Sequence, residues 1–286
     1  MRRILFITFN LILLVMLVSC NDLKYHYIEI KYKPNNHIIR IFPYYTFTYI
    51  EKEEILPETK LLFEQCDLVI LDNDFDAQIR TEYFTIHDEE YSLQDLISKE
   101  TYTKLDMVFQ EENIPIRAIH DLQPWAVAQS TLMNLICNKE FLTKNILLNY
   151  VKQLKRNKKI EYVGNSNESN RYFSELPYYY QEQLLLNSID RYFNPDNFLK
   201  LIYLADSGNF KELEIKYNEL VEKNEIDQKI FTEYIKPQID KQINLINENI
   251  ITHNSIIIIT GLNSVLGKYG IIKQLSKDNN FVITYH

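Results

Sequence analysis

Apolar and polar positions along the chain alternate with two different periods. Short blocks in which β-branched residues occupy every second position, or run together, read as strands: residues 25–32, with Ile28, Ile30 and Tyr32 on one face, then 37–42, 68–71, 160–163, 256–260 and 281–285. Between them, apolar residues recur at helical spacing. Pro57 opens a helix over 57–65 from a first-turn position, where a missing N–H has no intrahelical partner to lose. Ser92, with Asp95 three residues on, begins another as a partial capping box. Further helices are expected over 124–135, 142–155, 177–192, 197–207, 210–222 and 228–250. Few short strands separated by much helix predict an α/β fold, a central mixed β-sheet flanked by helices with a large helical portion.

The block at 256–260 ends in an unusual loop. Three of the chain's five glycines, Gly261, Gly267 and Gly270, fall within ten positions there. A strand, a glycine-punctuated turn and an amphipathic restart is the arrangement in which α/β proteins place their chemistry. The polar groups this loop offers are Asn263, Ser264, Lys268 and Tyr269, which include no obvious catalyst.

The N-terminus sets the expected address. Arg2 and Arg3 precede an apolar stretch at 4–18 that is too short to span a bilayer, and Leu17-Val18-Ser19-Cys20 follows. That order resembles the bacterial lipobox, which implies a signal peptide at 1–19, cleavage before Cys20, lipidation of Cys20 and a single domain over 20–286. An ordinary signal peptide with an incidental Cys20 is the alternative. The expected location is the exported side of the cell envelope, periplasmic or outer surface, with the membrane as partner through the lipid anchor. Loss of Arg2 and Arg3 takes the formal charge from −8 to −10, which argues against nucleic acid as a partner. The basic cluster Lys152, Lys155, Arg156, Lys158 and Lys159 ends a predicted helix, where the dipole favours cations; an anion- or lipid-binding patch is the rival reading.

Cys66 and Cys137 lie in apolar patterns and read as buried thiols, although an exported protein could pair them. No closely spaced His/Cys set suggests structural zinc. Asp72, Asp74 and Asp76 could share a face past a strand and hold a hard cation, or form a solvated loop; Ala77 and Tyr83 stand where a calcium loop needs glycine and glutamate. Ser264 as a nucleophile lacks the G-x-S-x-G elbow and a placed histidine base. Trp125 reads as a packing residue, His120 as a surface or structural residue, and Tyr178 to Tyr180 as a partly exposed run suited to a protein partner.

Several segments together resemble one family. The stretch SLQDLISKETYTKLDMVFQEENIPIRAIHDLQPW, ending at Trp125, resembles the helical region of TraB/GumN proteins, bacterial relatives of the secreted Tiki proteases. Val163, Gly164, Asn165, Ser169, Leu176, Pro177, Gln181, Leu184 and Leu185 occupy the places of the family's "LET…Q…lP…Q…LL" block. Residues 204–210 resemble its "w..Gd...l" element without the tryptophan, and Gly261, Leu262, Asn263, Ser264, Gly267, Gly270 and Leu275 resemble its closing block. The resemblance implies a TraB/GumN (Tiki/ChaN-like) fold and, for active members, a divalent metal held by two Gly-x-x-His motifs with acidic residues nearby.

Carried over residue by residue, the first motif falls on Pro43-Tyr44-Tyr45-Thr46 and the second on Gly261-Leu262-Asn263-Ser264, so Thr46 and Ser264 stand where the histidines belong. The strand-ending glutamate falls on Asp72, and that of "LET" on Gly164. Hydroxyls are poor ligands for a transition metal. His37 and His253 precede their strands, which places them roughly 20 Å from the loops they would have to serve. The expectation is a membrane-anchored lipoprotein of this fold, a pseudoenzyme that acts by binding, with no cofactor. The alternative is a divergent metal-dependent hydrolase, peptidase-like, using a divalent metal at Asp72 and Asp74.

Overall fold

The computed structural model describes residues 25–44, 47–48, 55–74, 77–88, 90–140, 142–144, 146–155, 157–221 and 224–286. The leader, Cys20, Thr46, Asp76 and Arg156 lie outside the described residues. Strands β1 (Ile28–Tyr32), β2 (His37–Tyr44), β4 (Leu68–Asp74), β6 (Lys159–Asn165), β7 (Ser255–Gly261) and β8 (Phe281–Tyr285) form one sheet in the order β6-β4-β7-β2-β1-β8. Strand β4 runs parallel to β6 and β7, and β7 parallel to β2; β1 is antiparallel to both β2 and β8. All six predicted strands are present and the sheet is mixed, as the pattern required. A two-stranded pairing of β3 (Phe47–Thr48) with β5 (Thr143–Lys144) was not anticipated. It takes residues expected to be helical, so the helix predicted from 142 starts at Leu147.

Both faces of the sheet are covered, which is why its central strands are apolar without alternation. Ile256, Ile257, Ile258 and Ile259 are all fully buried. On one face, Val69, Leu71, Ile257 and Ile259 pack against α1 (Pro57–Gln65) and, through Leu147 and Val151, α6 (Leu147–Leu154). On the other, Ile39, Ile41, Leu68, Ile70, Ile256 and Ile258 meet α9 (Asp196–Asp206), α10 (Phe210–Val221) and α12 (Lys236–Asn249). Two short helices, α13 (Leu262–Val265) and α14 (Ile271–Leu275), belong to this second layer.

A helical lobe has its own core. It contains α2 (Leu93–Leu96), α3 (Lys99–Glu111), α4 (Pro124–Ala126), α5 (Met133–Lys139), α7 (Ser166–Glu175), α8 (Tyr178–Phe193) and α11 (Glu225–Ile230). Leu105, Phe109, Trp125, Leu185 and Tyr192 lie at its centre. The capping box at Ser92 and Asp95 forms, but α2 is short; Ser98 accepts from the Thr101 N–H and restarts the chain as α3. Two π turns interrupt the longer helices, Val127–Leu132 between α4 and α5 and Phe231–Ile235 between α11 and α12. The second precedes Pro237, whose ring cannot accommodate the carbonyl four residues back in a regular helix.

Cys66 and Cys137 are unpaired, buried thiols in different clusters. Burial pushes them up to about 11 and about 12, where they are unreactive at neutral pH. Lys158 donates to the carbonyls of Glu64 and Cys66 at the end of α1, and Lys155 lies 3.6 Å from Asp74, so part of the basic cluster serves a helix terminus and an ion pair. Among the described residues no helix is long and apolar enough to cross a membrane.

Candidate functional site at the carboxyl edge of the sheet

Strands β6, β4, β7 and β2 are parallel neighbours, so their carboxyl ends lie side by side. Gly164 stands across from Asn73, and Tyr44 across from Gly261, with Asp72 between the two pairs. The four-residue apolar run of β4 ends before Asp72; register with β7 stops at Leu71, while pairing with β6 continues through Asn73 and Asp74. Three positions singled out by sequence, Asp72, Gly164 and Gly261, thus meet at one edge, with Ser264 one turn beyond Gly261 in α13.

Asp72 is the electrostatic centre of this edge. Its Oδ2 accepts the Gly261 N–H at 3.0 Å, and the Tyr44 hydroxyl donates to Oδ1 and Oδ2 at 3.2 and 3.3 Å. The residue keeps some exposure, but its carboxyl is surrounded by protein. Desolvation raises its pKa from 3.8 to about 6, against the lowering effect of the Gly261 and Tyr44 hydrogen bonds. Burial, followed by the Asp72 charge, raises the Tyr44 phenol well above the ordinary value. Burial also raises the Tyr234 phenol, opposed by a hydrogen bond from Ser169 and helped by the Asp72 and Glu168 charges. Asp74 turns away to Lys155, so Asp72 and Asp74 do not converge on one point.

Gly164 conceals a carboxylate that sequence comparison missed. A Cβ built there would lie 3.2 Å from Glu168 Oε2 and 3.3 Å from Gln238 Oε1. Glu168 comes from the first turn of α7, a helix not anticipated from its Ser/Asn-rich sequence. Its carboxylate accepts from Asn165 Nδ2 at 3.3 Å and lies 3.8 Å from Lys241. The available signal was Asn165 followed three residues later by glutamate, an N-cap signature; Asn165 Oδ1 accepts the Glu168 N–H. The acid absent at 164 is therefore supplied one helical turn later.

The imidazoles lie elsewhere. His37 begins β2 at the opposite edge, with Nδ1 2.6 Å from the Ile250 carbonyl, and His253 precedes β7 at that same edge, against the Asn249 carbonyl. His26 and His286 do lie at the carboxyl edge, a placement the sequence did not reveal. They are on the β1 and β8 side, three strand spacings (about 14 Å) from the Asp72 strand for His26 and four (about 19 Å) for His286. His120 is exposed. Among the described residues no group of three or more His, Cys, Asp or Glu could hold a metal ion. The donor set at the edge, a hydrogen-bonded aspartate with a glutamate paired to lysine, does not fit a hydrolytic transition metal, which takes imidazole or thiolate beside carboxylate. Ser264 is 9 % exposed, and no hydrogen-bonding base reaches it among the described residues.

Trp125 is a core residue. Its indole N–H donates to the Tyr83 carbonyl and to Gln123 Oε1, both at 3.2 Å, and its ring stacks on Phe173. Tyr178 and Tyr179 are exposed, while Tyr180 is half-buried under the Lys229 ammonium.

Four parallel strands ending side by side, beside a separate helical core, make this an α/β protein whose candidate site lies at the carboxyl edge of the sheet. The chain belongs to the TraB/PrgY/gumN family, whose profile matches residues 53–282. Comparisons with curated proteins and with solved structures find no significant match.

Proposed function

We propose that this family member is a lipid-anchored protein of the cell envelope that acts by binding, with the inherited hydrolytic site no longer competent. In this reading residues 1–19 are the leader, Cys20 carries the lipid, and 20–286 form a single domain. The observation that carries the absence of catalysis is the state of Asp72. The edge's central carboxylate is closed by the Gly261 N–H and the Tyr44 hydroxyl, with no imidazole on the neighbouring strand ends among the described residues. A hydrolytic metal requires ligand lone pairs and an open position for water, whereas Asp72 is already engaged by internal hydrogen bonds.

One observation favours the alternative, a divergent metal-dependent hydrolase. Glu168 restores a second carboxylate beside Gly164, so two acids remain along the edge. Incubating the purified chain with a peptide library and manganese, cobalt or zinc separates the readings. The binding reading expects no cleavage above that of Asp72→Ala; cleavage abolished by Asp72→Ala establishes the hydrolase. For the anchor, Cys20→Ala is expected to move the protein from the membrane to the soluble fraction, and unchanged membrane association would count against lipidation.

A further inference from the structure

A cavity of about 680 Å³ lies where the helical lobe meets the helices packed on the sheet. That is within the usual range for small-molecule sites. It reaches the sheet-edge site through Tyr234 and Asn263, the latter in the second inherited loop. Both π turns of the described chain open onto it: Gln129 comes from the first, Phe231 and Tyr234 from the second. Such turns re-aim side chains at the expense of regular helix geometry and are frequent at functional sites.

The cavity's polar groups are incompletely satisfied by the protein. Asn187 Nδ2 is buried with no hydrogen-bond partner. Asp227 is desolvated, which raises its carboxyl pKa; Arg191 offsets this by its charge, and no hydrogen bond reaches the carboxylate among the described residues. Asn187, Asp227 and Arg191 thus all line the cavity, as a donor without a partner, an acceptor and a charged donor. Further amides, Gln129, Asn194, Asn197 and Asn263, line the exposed part of the cavity, and each amide both donates and accepts. Phe173, Phe198 and Tyr217 add aromatic wall to that of Phe231 and Tyr234.

We propose that this cavity binds a neutral saccharide of about one or two rings, whose hydroxyls engage Asp227, Asn187 and Arg191 while its C–H faces lie against the aromatic wall. This deepens the binding reading above by naming the ligand class. A hydroxyl donates and accepts at once, so neighbouring hydroxyls satisfy an acceptor-only carboxylate and the two donors together. An inorganic anion fits less well, since Asp190 and Asp227 face the cavity with one guanidinium. A small zwitterion could bridge Asp227 and Arg191 but leaves the amides of the opening unused.

The test is thermal shift and calorimetry on the full chain in detergent, with glucose, galactose, N-acetylglucosamine, maltose and lactose as probes and glycine and inorganic phosphate as competing classes. At least one sugar is expected to bind saturably, and Asp227→Asn and Asn187→Leu are each expected to weaken it about tenfold or more. Arg191→Met, at a half-exposed position, provides the same readout should a floor variant fail to fold. Absence of sugar binding, binding unchanged in the folded variants, or preference for glycine or phosphate overturns the proposal. Sugar binding alongside Asp72-dependent peptide hydrolysis would support this cavity and overturn the binding-only reading, whereas neither sugar binding nor hydrolysis would overturn the cavity assignment alone.

Discussion

Replacing Asp72 by asparagine should change how stability depends on pH more than it changes the fold. Asparagine is nearly isosteric: its carbonyl can accept the Gly261 N–H, and its amide can donate to the Tyr44 oxygen. What it removes is a charge that burial disfavours. The folded-state pKa is about 6 against an ordinary value of 3.8, so protonation is favoured by folding. The stability this group contributes is complete below pH 3.8 and is lost as pH rises through about 6. The full shift corresponds to about 3 kcal/mol, which we reduce to about 1–2 kcal/mol for the residue's remaining solvent contact. Urea unfolding of wild type and Asp72→Asn across pH ~4 to pH ~8 provides the assay. The variant's stability relative to wild type should rise by about 1–2 kcal/mol across that window. A difference that is flat with pH, or that falls, would refute the view that desolvation dominates over the hydrogen bonds at this carboxylate.

Tyr44→Phe removes a donor that lowers the Asp72 pKa, so a carboxyl carbon NMR titration should find Asp72 above about 6, and a downward shift would contradict the hydrogen bond. Gly270→Ala would place a Cβ 2.3 Å from the Leu266 carbonyl oxygen and 2.4 Å from that of Val265, where backbone must move. Chemical denaturation should show a loss of about 2–4 kcal/mol, and a neutral result would mean that the closing loop repacks freely. Trp125→Phe leaves the Tyr83 carbonyl and Gln123 Oε1 without their indole donor, with an expected loss of about 1–3 kcal/mol in the same assay.

The sheet was legible because its signal is local. Four consecutive isoleucines in β7 have few alternatives to a strand buried on both faces, and the glycines after it are read by backbone geometry. Gly267 has φ +82°, and Gly270 has no room for a side chain. Asp72 was legible through the family pattern. Glu168 is hidden by that same pattern, which places glutamate at 164, where this chain has glycine, while the nearby acid comes from the next helical turn. The short pairing of β3 with β5 depends on two segments about a hundred residues apart, and two-residue strands carry too little periodicity to detect. The cavity is a tertiary property. Its lining comes from helices between Ala128 and Ile235 together with Asn263, and no stretch of sequence contains its outline.

The binding role proposed for this protein requires that the inherited edge hold no metal ion. Calorimetric titration of the full chain with manganese, cobalt and zinc, paired with elemental analysis after dialysis, tests it most directly. No stoichiometric ion is expected to be retained, and any weak binding should be unchanged in Asp72→Asn. One tightly held ion per chain, lost in Asp72→Asn or Glu168→Gln, would contradict it.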